Sequence, residues 1–164
     1  MGTSIFLKNK SNVIKFQDSN EYIAPANLNE NILTSIFIPA NSILDNSDLK
    51  LYFDAIAVGL NGSKLFNVYF NNVNSLIGAT LIATFNTNNL NYMIIKQLWY
   101  KNGFIKQFAT PSINSNQTIF GNNNSGTTNV NFNFEVDNYL IVSTQLSNIL
   151  DIVTFRNITM IVTN

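Results

Sequence analysis

The sequence predicts an all-β fold, an antiparallel β-sandwich of jelly-roll type with an N-terminal arm. Period-two alternation recurs along the chain, while no long window keeps the i, i+3, i+4, i+7 spacing of an amphipathic helix. Asn-Gly pairs at Asn61-Gly62 and Asn102-Gly103 separate alternating segments, and Asn-Gly favours the positive φ values of two-residue hairpin turns. The chain has 164 residues, 46% hydrophobic and 12% aromatic, which is about one domain with enough apolar material for its own core.

Residues 1–30 differ from the rest. Short apolar pieces (Ile5-Phe6-Leu7, Val13-Ile14, Tyr22-Ile23) are separated by Lys, Asn, Ser and Asp, so this segment is predicted to be an arm that is disordered alone or laid against another subunit. Residues 31–164 form the sandwich. Its strands are predicted at Thr34–Ile38, Leu49–Val58, Lys64–Asn71, Ala79–Phe85, Tyr92–Lys101, Phe104–Ala109, Asn129–Val136, Tyr139–Gln145 and Ile152–Val162. In the seventh, Val130, Phe132, Phe134 and Val136 point one way and Asn129, Asn131, Asn133 and Glu135 the other, giving a dry face and a wet face. Asp137-Asn138 is read as a third hairpin turn, and each of the three turns predicts antiparallel pairing of its flanking strands. Asn122-Asn123-Asn124, in a Gly/Ser/Thr-rich stretch, is predicted to be an exposed loop tip. Turn signals roughly 8–12 residues apart suit a sandwich or barrel.

Composition narrows function. Only 11% of residues are charged, against about 25% in an ordinary soluble domain, and nine basic residues cancel nine acidic ones. Asn fills the gap at 30 positions. A neutral chain lacks the long-range field that draws proteins to nucleic acid, so no nucleic-acid partner is expected. No apolar run approaches the length of a membrane span, so no membrane insertion is expected. No secretory leader is visible, which implies synthesis in the cytoplasm. Without Cys or His, disulfides, thiolate chemistry and the commonest general base and metal ligand are excluded. No cofactor is expected. Low charge beside abundant apolar residues also predicts that copies of the chain cover part of one another.

Three clusters bear on chemistry. A carboxylate-based hydrolase needs two facing acids about 5–10 Å apart, but Asp45, Asp48 and Asp137 sit in turn-like contexts where Asp bonds its own backbone. Asp45-Asn46-Ser47-Asp48 offers hard oxygen donors for Ca²⁺, yet lacks the full loop pattern and its distal Glu, and reads as a turn. Leu98-Trp99-Tyr100-Lys101-Asn102-Gly103-Phe104 places aromatics beside a hairpin tip. Trp99, Tyr100 and Lys101, with Asn61 and Asn123 in neighbouring loops, are the candidate ligand contacts for a glycan surface, against a plainer reading as a strand covered on both faces. Between Asp54 and Glu135 the only charges are Lys64, Lys96, Lys101 and Lys106, which read as scattered solvation.

Ile36-Phe37-Ile38-Pro39-Ala40-Asn41, then Asp48-Leu49-Lys50-Leu51, Ala57-Val58-Gly59, Lys64-Leu65-Phe66-Asn67-Val68-Tyr69-Phe70 and Gly78-Ala79-Thr80-Leu81, resemble the opening half of phage fibre-head and tail-fibre knob domains over residues 32–85. The Asn excess is similar to that of proteins of AT-rich phages, the crAss-like phages among them. The resemblance implies a jelly-roll homotrimer in a virion, a head fibre or fibre knob, held to a capsid or other virion protein through residues 1–30 and touching host surface glycans. It implies no catalytic residue, so no enzymatic activity is expected. The alternative is a lectin-like carbohydrate-binding sandwich outside any particle.

Overall fold

A computed structural model describes residues 12–58, 62–87, 91–108 and 127–164. These form eleven strands: β1 (Val13–Asp18), β2 (Tyr22–Ile23), β3 (Asn31–Ile38), β4 (Asp48–Val58), β5 (Lys64–Asn71), β6 (Thr80–Thr87), β7 (Asn91–Lys101), β8 (Phe104–Phe108), β9 (Thr127–Asn131), β10 (Asn138–Leu146) and β11 (Ile152–Thr163). No helix occurs among the described residues. Two antiparallel sheets pack face to face as a β-sandwich. The larger runs β1-β11-β4-β7-β8-β9, with β2 also on β11, and the smaller runs β3-β10-β5-β6.

Alternation decides which side chains enter the gap between the sheets. On β4, Leu49, Leu51, Phe53 and Ala55 are buried, while Asp48, Lys50, Tyr52 and Asp54 face outward. On β11 the inward set is Val153 and Phe155, then Ile158, Met160 and Val162. The parity changes between them because a bulge falls between Phe155 and Asn157, inserting Arg156, which bonds the outward Asp54 at 2.7 Å. The opposite sheet contributes Phe66, Val68 and Phe70 from β5 and Leu140, Val142 and Leu146 from β10. Phe53 joins the two layers edge-on to Phe66 at 5.1 Å, the geometry aromatic quadrupoles prefer.

The predicted turns divide. At Asn102-Gly103 both residues have positive φ, 53° and 76°, and β7 pairs β8 across them as expected. The other two do not join paired strands. Asn61 lies outside the described residues, and the strands flanking it part: β4 pairs β11 and β7, whereas β5 pairs β10 and β6. Asp137-Asn138 likewise separates β9, paired with β8, from β10, paired with β3 and β5. The seventh predicted strand stops at Asn131 because its partner β8 begins at Phe104, opposite Asn131, leaving no ladder beyond. The chain then crosses between the sheets: Phe134 is buried, Phe132 packs on the core, and Val136 is 45% exposed. The dry face therefore ends at Phe134.

Residues 13–30, within the segment expected to be an arm, belong to the sandwich. β1 pairs β11 from Val13↔Thr163 to Asp18↔Ile158, and β2 continues along the same edge. Ile14, Phe16 and Tyr22 pack on the core. Asp18 receives hydrogen bonds from Thr34 of β3 and from the Tyr22 hydroxyl, closing the sandwich on that side. Burial works to raise the Asp18 pKa, but hydrogen bonds from Thr34, Asn20 and Tyr22 outweigh it and hold it below the ordinary value. Val13-Ile14 and Tyr22-Ile23, short apolar pieces too sparse to fold alone, find a sheet edge formed by distant strands, while Ile5-Phe6-Leu7 lies outside the described residues.

Candidate functional site

The outer face of the four-stranded sheet is the most unusual surface of the molecule. The strands of the larger sheet carry nine charged residues: two on β1, three on β4, two on β7 and one each on β8 and β11. The strands of the smaller sheet carry one, Lys64, and its side chain is fully buried. A solvated sheet face ordinarily mixes both signs of charge. This one presents Phe37 (47% exposed), Leu81 (45%) and Ile32 (39%), with Phe37 edge-on to its cross-strand neighbour Tyr139 at 5.5 Å. Ile141, in register with Ser35 and Tyr69, lies on the same side of the sheet but is fully buried.

One rim of this face is held by the segment leading into β3. The Glu30 carboxylate accepts from Asn67 Nδ2 at 2.8 Å, Tyr69 Oη at 2.8 Å and Ser143 Oγ at 2.5 Å, across β5 and β10. Gln145 Nε2 donates to the Leu28 carbonyl at 3.1 Å. Burial tends to raise the Glu30 pKa, and the three hydrogen bonds outweigh it and lower it. Burial and the Glu30 carboxylate push the Tyr69 hydroxyl up to about 12, so it stays protonated as a donor. The Glu30 carboxylate is thereby occupied.

Among the residues singled out for ligand contact, the three described ones do not share one surface. Tyr100 is buried, edge-on to Phe134 at 4.8 Å. Trp99, its neighbour in the strand, stands on the opposite face of the sheet, in register with Asp48 and Lys106. Lys101 is exposed at the hairpin. Asn61 and Asn123 lie outside the described residues. The cluster at residues 45–48 is a turn: Asp45 accepts from the Asn102 backbone N–H, Asn46 takes φ 70°, and Asp48 accepts from Gln97 at 2.9 Å. Among the described residues no group of three His, Cys, Asp or Glu side chains could hold a metal ion.

Lys64 departs from its reading as a solvated lysine. It lies 3.0 Å from the Asp151 carboxylate, both side chains at zero exposure, and donates to the Gly62 carbonyl at 2.9 Å. Gly62 permits that approach, since a Cβ there would meet Ser147 Oγ at 2.4 Å and Asp151 Oδ2 at 3.0 Å. Neither the charge-poor sheet nor this ion pair is visible without strand partners, because each depends on which strands share a sheet. The signal available in the sequence was the long uncharged stretches at 31–44 and 138–150.

The chain matches no protein-family model, no curated protein and no solved structure. Function therefore rests on the surfaces themselves.

Proposed function

We propose that this chain is a structural virion protein, a phage head fibre or fibre knob, that assembles as a homotrimer through the uncharged face of the β3-β10-β5-β6 sheet. The observation that carries the proposal is the partition of charge, nine residues on the strands of one sheet and one buried residue on those of the other. Depletion of charge around exposed aromatic residues is the compositional mark of an interface centre. A second copy is the occupant that fits, because an uncharged, partly apolar face is matched by another surface of the same weakly charged chain; in a homotrimer this face meets a different patch of the next copy, head to tail, and cyclic closure leaves no open end.

Strand order supports the jelly-roll form. Without β2, β8 and β9, the remaining eight strands, counted along the chain, lie as first-eighth-third-sixth in one sheet and second-seventh-fourth-fifth in the other. That is the interleaving of two Greek keys. The resemblance over residues 32–85 supplies the virion setting. With residues 13–30 built into the sandwich, attachment to the particle is assigned to residues 1–11.

The test is the oligomeric state of the double variant Phe37→Ser/Tyr139→Lys, measured by light scattering. Charge placed in the exposed aromatic pair of this face should release folded monomers, whereas Ile23→Ser/Leu150→Ser, made at exposed aliphatic residues outside this face, should leave the assembly intact. Persistence of the assembly in the first variant would refute the face as the interface.

A further inference from the structure

At the end of the sandwich where the β7–β8 hairpin lies, the chain crossing from β9 to β10 separates two grooves, of about 520 and 500 Å³. Both are bordered by Asn131, Phe132 and Asn133. Each is the size of a small-molecule site, and because they share this ridge an extended ligand can lie across both. We infer that the pair is a binding site for an uncharged oligosaccharide, with Phe132 as the apolar platform between two amide-lined halves.

The chemistry of the walls favours that class. No Lys or Arg borders either groove, and the carboxylates of Asp45 and Glu135 border the first, so an anionic ligand is disfavoured. The amides of Asn41, Asn102 and Asn131 are exposed, and each carries both a donor and an acceptor, the combination that reads neighbouring hydroxyls. Phe132 is half-buried, held by Phe70 at 5.3 Å and Phe134 at 4.9 Å, with its backbone N–H on the Gly103 carbonyl at 3.0 Å. A ring anchored in this way gives a stacking surface at little cost in side-chain entropy.

A second, independent observation also points to a ligand. Asn138 is 1% exposed and its Nδ2 donates to the Asn133 and Val136 carbonyls at 3.0 and 2.7 Å, which fixes the amide orientation. Its Oδ1 is buried and has no hydrogen-bond partner among the described residues, and Asn138 borders the second groove. Buried acceptors are nearly always satisfied, and a sugar hydroxyl in that groove supplies the missing donor.

This inference deepens the glycan contact in the fibre-knob reading but does not depend on self-association. Saturation-transfer NMR on the full-length protein, with gluco-, manno- and galacto-oligosaccharides of up to about six units as neutral probes and polysialic acid as the anionic comparator, tests it. Saturable binding of at least one neutral probe is expected. Asn131→Ala, at an exposed site, and the conservative Phe132→Leu should each weaken it about tenfold, the size of one good contact, with thermal unfolding unchanged in Asn131→Ala and a cooperative folded state retained in Phe132→Leu. Absence of binding to every neutral probe, stronger binding of polysialic acid, or binding unaffected by both variants would overturn it. So would recovery of shortened oligosaccharides, which would assign Asp45 and Glu135 to hydrolysis instead. Light scattering on the same samples separates the two proposals: a trimer that binds no sugar removes this one alone, and a monomer that binds sugar removes the assembly alone.

Discussion

Lys64 and Asp151 show how a single pair can fix a junction between strands. Two charges at zero exposure and 3.0 Å separation are tolerable only together. Lys64→Met alone should cost about 3–5 kcal/mol by leaving a buried carboxylate uncompensated, whereas Lys64→Met with Asp151→Leu should recover most of that loss, both read from urea denaturation. Glu30 makes a pH-dependent contribution at the same scale. Its folded pKa lies below the ordinary 4.5, so its ionised form adds stability above that value, and this is lost as pH falls through the depressed folded value. The melting temperature of the wild-type protein should therefore fall more steeply below about pH 4.5 than that of Glu30→Gln. Parallel curves would contradict the role given to the three hydrogen bonds on this carboxylate.

At the scale of elements, the N-terminal segment and the crossing after β9 distinguish a strand's pattern from its partner. Removal of residues 1–11 should leave melting and oligomeric mass unchanged while abolishing incorporation into particles. Removal through Asp18 strips β1 from β11 and exposes Ile158, Met160 and Val162, so that shorter chain should unfold. Much of the architecture was legible from alternation alone. Leu49, Leu51, Phe53 and Ala55 declare an inward face on β4, and Asn102-Gly103 declares its hairpin. What alternation could not supply was the choice of partner. Asp137-Asn138 has turn chemistry whether it closes a hairpin or joins two sheets, and here Asp137 accepts from the Ala40 N–H at 2.9 Å across that junction. Tyr22-Ile23 is too short to announce a strand, and becomes one through two backbone registers on β11. The candidate site was less legible still. Parity alone places Trp99 and Tyr100 on opposite faces of their strand, but that Tyr100 is the buried one depends on the sheet packed against it.

The whole molecule is a neutral sandwich with two unlike exteriors. One sheet carries the charges that keep it hydrated, and the other leaves Phe37, Tyr139, Leu81 and Ile32 on a surface without a free charge. A face of this kind left open on a chain of zero net charge would favour uncontrolled association, a hazard that the proposed closed assembly would remove. The measurement that bears most directly on this account is the mass of the intact protein in solution, by light scattering or native mass spectrometry at micromolar concentration. Three times the 18.4 kDa chain is the expected value. A single-chain mass, with Phe37 and Tyr139 stably exposed to water, would contradict it.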